Sequence, residues 1–265
     1  MKKERIDVLL VEKGLAESRE KAKRFIMAGI VFVDNEKIDK SGTKVSVESD
    51  ILVKGNPLPY VSRGGLKLEK ALKEFPISVE DKVALDIGAS TGGFTDCMLK
   101  NGAKKVYAID VGYGQLAWEI RSNEKVIPMD RTNIRYVKKE DIGELSDFVS
   151  IDVSFISLKL ILPVVKELTK EDVEVIALIK PQFEAGREKV GKKGVVKDKK
   201  VHQEVIEQIN SFCESIGLYI NDLTYSPIKG AEGNREYLAY ITKREPNRDI
   251  VELINTVVNE SHDEL

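Results

Sequence analysis

Hydrophobic positions along the chain change their period, and the change predicts two folded regions. Residues 6–28 hold two segments that space apolar side chains as amphipathic helices do, and residues 31–53 then alternate apolar and polar positions as short strands do. Further along, short apolar runs alternate with helical patterns, which is typical of a doubly wound α/β sheet. We therefore predict a small α+β module at residues 1–54 and an α/β domain at residues 66–265. Residues 55–65 lack periodicity and are rich in glycine and proline, which predicts a linker.

The predicted α/β domain consists of five parallel strands, their covering helices and a closing antiparallel pair. Strands are predicted at residues 83–87, 105–110, 126–129, 148–152 and 173–179, helices at 66–75, 115–121, 157–168 and 202–216, and the antiparallel pair at 218–226 and 236–242. Pro163 is expected to kink or shorten its helix, because proline cannot donate a backbone hydrogen bond. Residues 184–200 are rich in glycine and lysine and predict a mobile loop that is either plain solvated chain or an RNA contact.

The strand at residues 83–87 runs directly into a glycine-rich turn. Gly88, Gly92 and Gly93 remove side chains where the backbone turns, so a ligand could approach the start of the next helix. Asp110 ends the next strand about 20 residues later, the distance at which a carboxylate can bind a ribose hydroxyl pair. Glycines in this position can also serve strand-to-helix packing alone.

Acidic residues recur where the predicted strands end. Ligands of open parallel sheets bind beyond the carboxyl ends of the strands. The rule predicts that one group of charged residues lies together at this edge of the sheet, which we call the rim. The group consists of Asp86, Asp110, Asp130, Asp152 and Lys180. So many carboxylates disfavour a pyrophosphate and favour a neutral or cationic ligand such as S-adenosylmethionine.

Composition narrows the class of protein further. The 265 residues are 42% hydrophobic and 32% charged, enough for a proper core, and the net charge of -2 argues against unspecific nucleic-acid binding over the whole surface. Residues 1–75 nevertheless hold 16 basic and 12 acidic residues, a local excess of +4. The two cysteines lack metal-ligand spacing, and no apolar run reaches the roughly 20 residues of a membrane helix. We therefore expect a cytoplasmic protein with no metal site.

The amino-terminal pattern RIDVLLVEKGLAESREKAKRFIMAGIVFVD resembles the S4-type RNA-binding module over residues 5–53. In that family a helix pair presents basic side chains to RNA phosphates. The resemblance thus implies phosphate contacts from Arg5, Arg19, Lys21, Lys23 and Arg24. From the residues alone, a solvated charged face is the alternative, and Glu17 and Glu20 support it.

Six further motifs resemble the TlyA family of ribosomal-RNA ribose 2′-O-methyltransferases. They are GASTGGFTD, DVGYGQLAW, DRTN, DVSFISL, LIKPQFE and GNREY, and they follow the segment YVSRGGLKL. The resemblance implies a Rossmann-like class I methyltransferase domain that uses S-adenosylmethionine. It also implies methylation of a cytidine ribose, with ribosomal RNA or ribosomal subunits as partner, and a monomer is favoured.

The resemblance also implies roles for individual residues. The family's catalytic lysine, aspartate, lysine and glutamate correspond to Lys67, Asp152, Lys180 and Glu236. Its cofactor residues correspond to Gly88, Ser90, Gly92 and Phe94 on the methionine side, Asp110 at the ribose, Asp130 and Arg131 on the adenine side, and Asp152 between both sites. Because a ribose hydroxyl must lose its proton as it attacks, one lysine of lowered pKa, Lys180, is expected to act as the base.

Two other functional classes fit these residues less well than a methyltransferase. A non-catalytic RNA-binding or ribosome-assembly protein has no physical need for Lys67 and Lys180 beside Asp152. A haemolysin, a label also attached to TlyA relatives, is disfavoured by the lack of a signal peptide, of a membrane span and of a strongly amphipathic cationic segment outside the predicted RNA helix.

Overall fold

The structure, a computed structural model, describes residues 3–16, 18–54 and 58–264. The chain divides into two compact units, Met1–Arg63 and Gly64–Leu265. The first three residues of the predicted linker, and Glu17 of the predicted charged helix face, lie outside the described residues.

The first unit combines a helix pair with short strands, as its hydrophobic pattern predicts. Its elements are β1 (Lys3–Arg5), α1 (Ile6–Glu12), α2 (Arg19–Met27), β2 (Val31–Val33), β3 (Glu36–Lys37), β4 (Lys44–Ser46) and β5 (Ile51–Val53). Strand β2 pairs antiparallel with β3 and β5, while β1 pairs antiparallel with β4. The Ser18 hydroxyl accepts the Lys21 amide at 3.2 Å and so caps α2.

The core of the first unit forms where the two helices face the strands. The apolar positions of α1 and α2 recur every three to four residues, so one face of each helix is buried. Ile6, Leu10 and Ile26 are fully inaccessible and pack with Val31 of β2. The basic positions of α2 lie between these apolar ones and therefore point away from the core.

The second unit is built on a seven-stranded, mainly parallel sheet. Its strands are β6 (Val83–Ile87), β7 (Lys105–Ile109), β8 (Val126–Met129), β9 (Ser146–Ile151), β10 (Thr169–Ile179), β11 (Tyr219–Tyr225) and β12 (Tyr237–Thr242). The order across the sheet is β11-β12-β10-β9-β6-β7-β8, and β12 runs antiparallel to both of its neighbours. The predicted closing antiparallel pair is therefore confirmed. The chain moves to one side of β6 for β7 and β8 and to the other for β9, so a topological switch point lies between β6 and β9.

Helices cover both faces of this sheet. They are α3 (Gly64–Glu74), α4 (Gly93–Lys100), α5 (Trp118–Arg121), α6 (Lys139–Ile142), α7 (Leu162–Glu167), α8 (Pro181–Glu184), α9 (Lys199–Ser215) and α10 (Ile250–Glu264). On one face, side chains of α7, α9 and α10 share one apolar core with Leu85 and Val149. The opposite face of β6 packs against α4, where the Thr95 hydroxyl donates to Asp86. The predicted doubly wound class is confirmed.

One local prediction is confirmed, and two elements differ from expectation. Pro163 shortens its helix as predicted, because the predicted helix at 157–168 is divided into a short turn at Leu158–Leu160 and α7, which holds Pro163 in its first turn. The helix predicted at 115–121 is only the single turn Trp118–Arg121. Helix α10 was not predicted at all.

Candidate active site

Four charged side chains from four separate elements meet at the carboxyl ends of the central strands. Asp152 follows β9, Lys180 follows β10, Glu236 precedes β12, and Lys67 lies on α3. The two oxygens of Asp152 each hold one lysine: Oδ1 lies 2.6 Å from Lys180 Nζ, and Oδ2 lies 3.3 Å from Lys67 Nζ. Glu236 Oε2 lies 2.7 Å from Lys67 Nζ. The structure thus brings together all four residues that the resemblance implies.

This cluster is buried because its charges cancel. Lys67, Lys180 and Glu236 are each less than a tenth exposed, and Asp152 is partly buried. Two ammonium groups and two carboxylates sum to zero, and each is close to an opposite charge, as buried ions require. Removing any one of them leaves a buried charge without its counterion.

The cluster sets the protonation of its members. Burial alone lowers the pKa of Lys67, but the carboxylates of Asp152 and Glu236 outweigh burial and raise that pKa above its ordinary value. Burial likewise raises the pKa of Asp152, and the two lysines more than compensate, so the pKa of Asp152 is lowered. Lys67 is therefore held as a cation and Asp152 as an anion.

Ser154 is a member of this site that sequence reasoning missed. Lys180 Nζ lies 3.2 Å from Ser154 Oγ, and Asp152 and Ser154 are its hydrogen-bonding partners among the described residues. An amine nitrogen has three positions beyond its carbon, and two of them are directed by these acceptors. The third position remains for a substrate atom. The motif DVSF contains this serine, but no charge or spacing distinguished it.

A cavity of about 480 Å³ opens at the switch point between β6 and β9, where parallel sheets bind their ligands. Four of the predicted site residues line it: Gly88, Ser90, Asp110 and Asp152. Most of the remaining lining is apolar, and Gln115, Thr132, Asn133 and Ser154 supply uncharged polar groups. No lysine, arginine or histidine lies among the described residues that line it. Such a lining suits a ligand that carries an apolar body and hydroxyls or positive charge, and it does not suit a phosphate.

Asp110 fixes the loops at the entrance of this cavity. Its Oδ2 accepts the Ser90 amide at 2.8 Å, and its Oδ1 accepts the Gly112 amide at 2.7 Å. One carboxylate thus ties the glycine turn after β6 to the loop after β7. Asp110 also lines the cavity, and each carboxylate oxygen can accept a further hydrogen bond.

The glycine turn itself serves packing as well as access. Gly88 has φ +87°, and a Cβ there would approach the Asp152 carbonyl oxygen to 2.4 Å, so only glycine lets the end of β6 lie against this backbone. Gly92 has φ +95° and packs against Leu116 and Ile120. Phe94 is buried within α4 and, like Gly92, lies outside the lining of the cavity.

The acids along the predicted rim do not all point into the cavity. Asp86 is fully buried and accepts hydrogen bonds from the Thr95 and Ser150 hydroxyls; burial raises its pKa to about 6. Asp130 is held by Arg121 at 2.7 Å, and the exposed Arg131 guanidinium stacks on the Tyr113 ring. Neither Asp130 nor Arg131 belongs to the cavity lining.

The basic residues predicted to bind RNA lie on α2 and at the end of β1 of the first unit. Arg5 and Arg19 both bind the buried carboxylate of Asp7 at 2.9 Å. Hydrogen bonding from Arg5, reinforced by Arg19, outweighs burial and lowers the pKa of Asp7 to about 2. The two arginines therefore stabilise the module itself, and their guanidinium groups are still about half exposed. Lys23 lies 3.7 Å from Glu20.

Comparison with known proteins shows that the chain belongs to the class of methyltransferases. The FtsJ-like methyltransferase family matches residues 60–243, and the S4 domain matches residues 4–51. The chain is 56% identical over 98% of its length to “Putative rRNA methyltransferase YqxC” of Bacillus subtilis, covering 95% of that protein. It is 40% identical over 89% of both chains to “16S/23S rRNA (cytidine-2'-O)-methyltransferase TlyA” of Mycobacterium tuberculosis.

A solved structure is similar to this chain over its whole length, but its name is that of a haemolysin. “Putative hemolysin from Streptococcus thermophilus” is 48% identical, with a TM-score of 0.79, and the match covers 100% of this chain and 97% of that one. No helix within residues 3–16, 18–54 and 58–264 is long and apolar enough to cross a membrane. Because of the family matches and the similarity to TlyA, we conclude that the chain belongs to the TlyA branch of the FtsJ-like methyltransferases, with an S4 domain at its amino end.

Proposed function

We propose that the protein transfers a methyl group from S-adenosylmethionine to the ribose 2′-hydroxyl of a cytidine in ribosomal RNA, in the cytoplasm. The observation that carries this proposal is the buried cluster of Lys67, Asp152, Lys180 and Glu236 directly beside the cavity. A protein that only binds RNA gains nothing from burying two lysines, since phosphates are bound by exposed cations. The relative named TlyA, a 16S/23S rRNA (cytidine-2'-O)-methyltransferase, supports the choice of substrate.

Lys180 is the proposed general base. A ribose hydroxyl is a poor nucleophile until its proton is removed, and Lys180 offers a nitrogen with one position left open. Lys67, held as a cation between two carboxylates, stays positively charged and orients Asp152. Transfer would break the bond between the methyl carbon and the sulfonium sulfur, leaving a thioether, as the 2′-oxygen bonds to that carbon; the hydroxyl proton passes to Lys180, and Asp152 stabilises the ammonium that results.

Residues around the cavity are proposed to hold the cofactor. When bound, S-adenosylmethionine supplies an electrophilic methyl group on a sulfonium centre. Asp110 is proposed to bind the ribose hydroxyls, and the carboxylates of the lining suit a cationic ligand. The resemblance assigns the methionine side to Gly88, Ser90, Gly92 and Phe94 and the adenine side to Asp130 and Arg131. Of these, Gly88 and Ser90 line the cavity, as does Asp152, which is proposed to border both halves of the site.

We propose that the two parts of the chain divide the work. The module at residues 1–54 provides phosphate contacts through Arg5, Arg19, Lys21, Lys23 and Arg24, and the domain at residues 66–265, after the linker at 55–65, performs the transfer. The partly exposed guanidinium groups of Arg5 and Arg19 support this assignment, because ion pairing with Asp7 leaves part of each group accessible.

Mapping of ribose methylation tests the proposed function directly. Ribosomal RNA from a strain that lacks the gene should accept methyl groups from the purified protein, and 2′-O-methylcytidine should appear at each position that is methylated in the parent strain but not in the strain without the gene. RNA that binds without any transfer would support a non-catalytic binding protein. Lysis of erythrocytes by the purified protein, without RNA methylation, would instead support the haemolysin label.

Cofactor affinity should depend on Asp110. Asp110→Ala removes charge-assisted hydrogen bonds to the proposed ribose and should weaken S-adenosylmethionine binding by roughly tenfold or more, about 1.5 to 3 kcal/mol. Calorimetry measures the affinity. Asp147→Ala is the control, because Asp147 also accepts a backbone amide, from Val83 at 3.0 Å, yet lies at the opposite edge of the sheet. Equal affinities for both folded variants would remove Asp110 from the cofactor site.

A further inference from the structure

The loop between α8 and α9 carries a basic cluster in the otherwise acidic part of the chain. We call residues 186–197 the basic loop; its sequence GREKVGKKGVVK holds five basic residues and one acidic residue, a net charge of +4. Lys189 binds Glu204 of α9 at 2.6 Å. The other four cations are exposed, and none of them has an ion pair in the part of the chain that the structure describes: Arg187, Lys192, Lys193 and Lys197.

The basic loop is fixed in place, and the residues that fix it flank Glu236. The Asn234 side chain accepts the Val196 amide at 3.2 Å and donates to the Gly194 carbonyl at 2.9 Å. On the other side of Glu236, the Tyr237 hydroxyl lies 2.7 Å from His202 Nδ1, and His202 Nε2 lies 3.0 Å from the Val196 carbonyl.

These contacts define the tautomer of His202 and the position of the loop. A carbonyl oxygen only accepts, so Nε2 of His202 carries the proton, and Nδ1 is the acceptor that faces the Tyr237 hydroxyl and, at 3.2 Å, His262 Nε2. Val196 is only 2% exposed, which anchors the carboxyl end of the loop in the core. At the tip, the Gly191 amide donates to the Val195 carbonyl at 3.1 Å and the Gly194 amide to Gly191 at 2.8 Å, so the turn projects Lys192 and Lys193 outward.

We propose that the basic loop binds phosphates of the RNA strand whose ribose is methylated. The inference rests on the proposed function and adds to it a second RNA contact within the catalytic unit. The loop begins six residues after Lys180, and its carboxyl end is held by Asn234 directly and by Tyr237 through His202, on the two sides of Glu236, so we expect its cations to lie near the reacting hydroxyl. Phosphate contacts fix the register of a nucleic acid, and here they hold the reacting ribose against Lys180.

The charge pattern of the loop supports RNA over a plain solvated surface. Some lysines elsewhere on this unit have acidic partners, as Lys105 has Glu144 and Lys170 has Asp147. Lys104 and Lys125 have none among the described residues, but they are isolated from other unpaired cations in the sequence. In the loop, only Lys189 is neutralised in this way. The backbone of this turn is already ordered. Binding of a polyanion to its cations therefore requires little further loss of backbone freedom.

The double variant Lys192→Gln/Lys193→Gln tests the proposal in the full-length protein. Its affinity for ribosomal RNA purified from a strain without the gene should fall by roughly tenfold at moderate salt. The slope of log affinity against log salt should decrease by about 1.4, or about 0.7 per lost phosphate contact on single-stranded RNA. The single-turnover rate at saturating enzyme should remain within about twofold of wild type, since these side chains take no part in proton transfer.

Lys104→Gln/Lys125→Gln is the matched control. It removes two positive charges, as the loop variant does. Both lysines are exposed and precede β7 and β8, at the edge of the sheet opposite the site. Equal RNA affinity and equal salt slopes for the two double variants would overturn the role of the loop. A lower saturated rate with unchanged affinity would overturn it as well. If the wild type transfers no methyl group, the proposed function fails, and the binding comparison alone decides on the loop.

Discussion

Lys180→Arg is expected to abolish methyl transfer while the protein still binds RNA and S-adenosylmethionine. Arginine keeps the positive charge near Asp152, so the buried cluster stays neutral overall. It stays protonated at any pH at which the protein is folded, and therefore cannot accept the proton of the ribose hydroxyl. The loss of a positioned base should lower the chemical rate by roughly 10² to 10⁴-fold.

Single-turnover transfer at several pH values measures this effect. In the wild type the rate should rise with pH, because a base must be unprotonated before it can accept a proton, and in the variant this rise should disappear. Lys170→Arg is the control: Lys170 lies at the other end of the same strand, β10, and binds Asp147 at 2.6 Å. Transfer by Lys180→Arg at a rate near that of the wild type would contradict the general-base role and leave Lys180 as an electrostatic guide.

The sequence could predict the fold class because each central strand is buried on both faces. All five residues of β6 are buried, so the run VALDI is apolar apart from Asp86, and the glycine turn after it marks where the strand ends. The same reasoning missed α10. Its apolar positions, including Ile254 and Val258, have helical spacing, and Asp249 caps the helix after Pro246 and Asn247, so the sequence holds the signal for α10. The apolar positions are buried because α9 and β11 lie against them, which is a tertiary effect.

The members of the charged cluster could be predicted only through motif resemblance. Lys67 and Glu236 are 169 positions apart in sequence and 2.7 Å apart in space, and no local pattern encodes such a pairing. By itself, Lys67 looks like an exposed residue of an amphipathic helix. Ser154 and Asn234 were missed for a related reason: each acts through one hydrogen bond or two to a neighbouring element, and small polar side chains of this kind leave no periodic signal.

The acids of the rim show the limit of the strand-end rule. The rule places Asp86, Asp110 and Asp152 at one edge, but a residue within a strand points to one face of the sheet, whereas a residue just after the strand is free to turn into the cavity. Asp86 is the fourth residue of β6 and faces α4, and Asp110 and Asp152 each follow the last residue of a strand and line the cavity. A difference of one or two positions decides between a core carboxyl and a site residue.

Asp152→Asn should have the largest effect on stability, because one carboxylate holds both buried lysines. Asparagine keeps the shape of the side chain but removes the negative charge, which leaves a surplus of positive charge in the cluster. Breaking a buried ion pair in this way costs about 3 to 5 kcal/mol. Methyl transfer should be lost as well, since Lys67 and Lys180 are no longer held together. Asp147→Asn, near the start of the same strand, β9, is the control and should cost about 1 kcal/mol or less, since its partner Lys170 is about half exposed.

The pH dependence of this difference distinguishes a charge effect from a packing defect. The pKa of Asp152 is lowered from 3.8, so its contribution to stability is present above pH 3.8 and is lost as the pH falls through the lowered value. The pKa of Lys67 is raised from 10.5, so its contribution is present below pH 10.5 and is lost as the pH rises through the raised value. The free energy of unfolding, measured in urea from acid to alkaline pH, should therefore differ most between wild type and variant near neutral pH, and the difference should shrink at both extremes. A difference that stays constant with pH would mean that Asp152 acts through its shape and not through its charge.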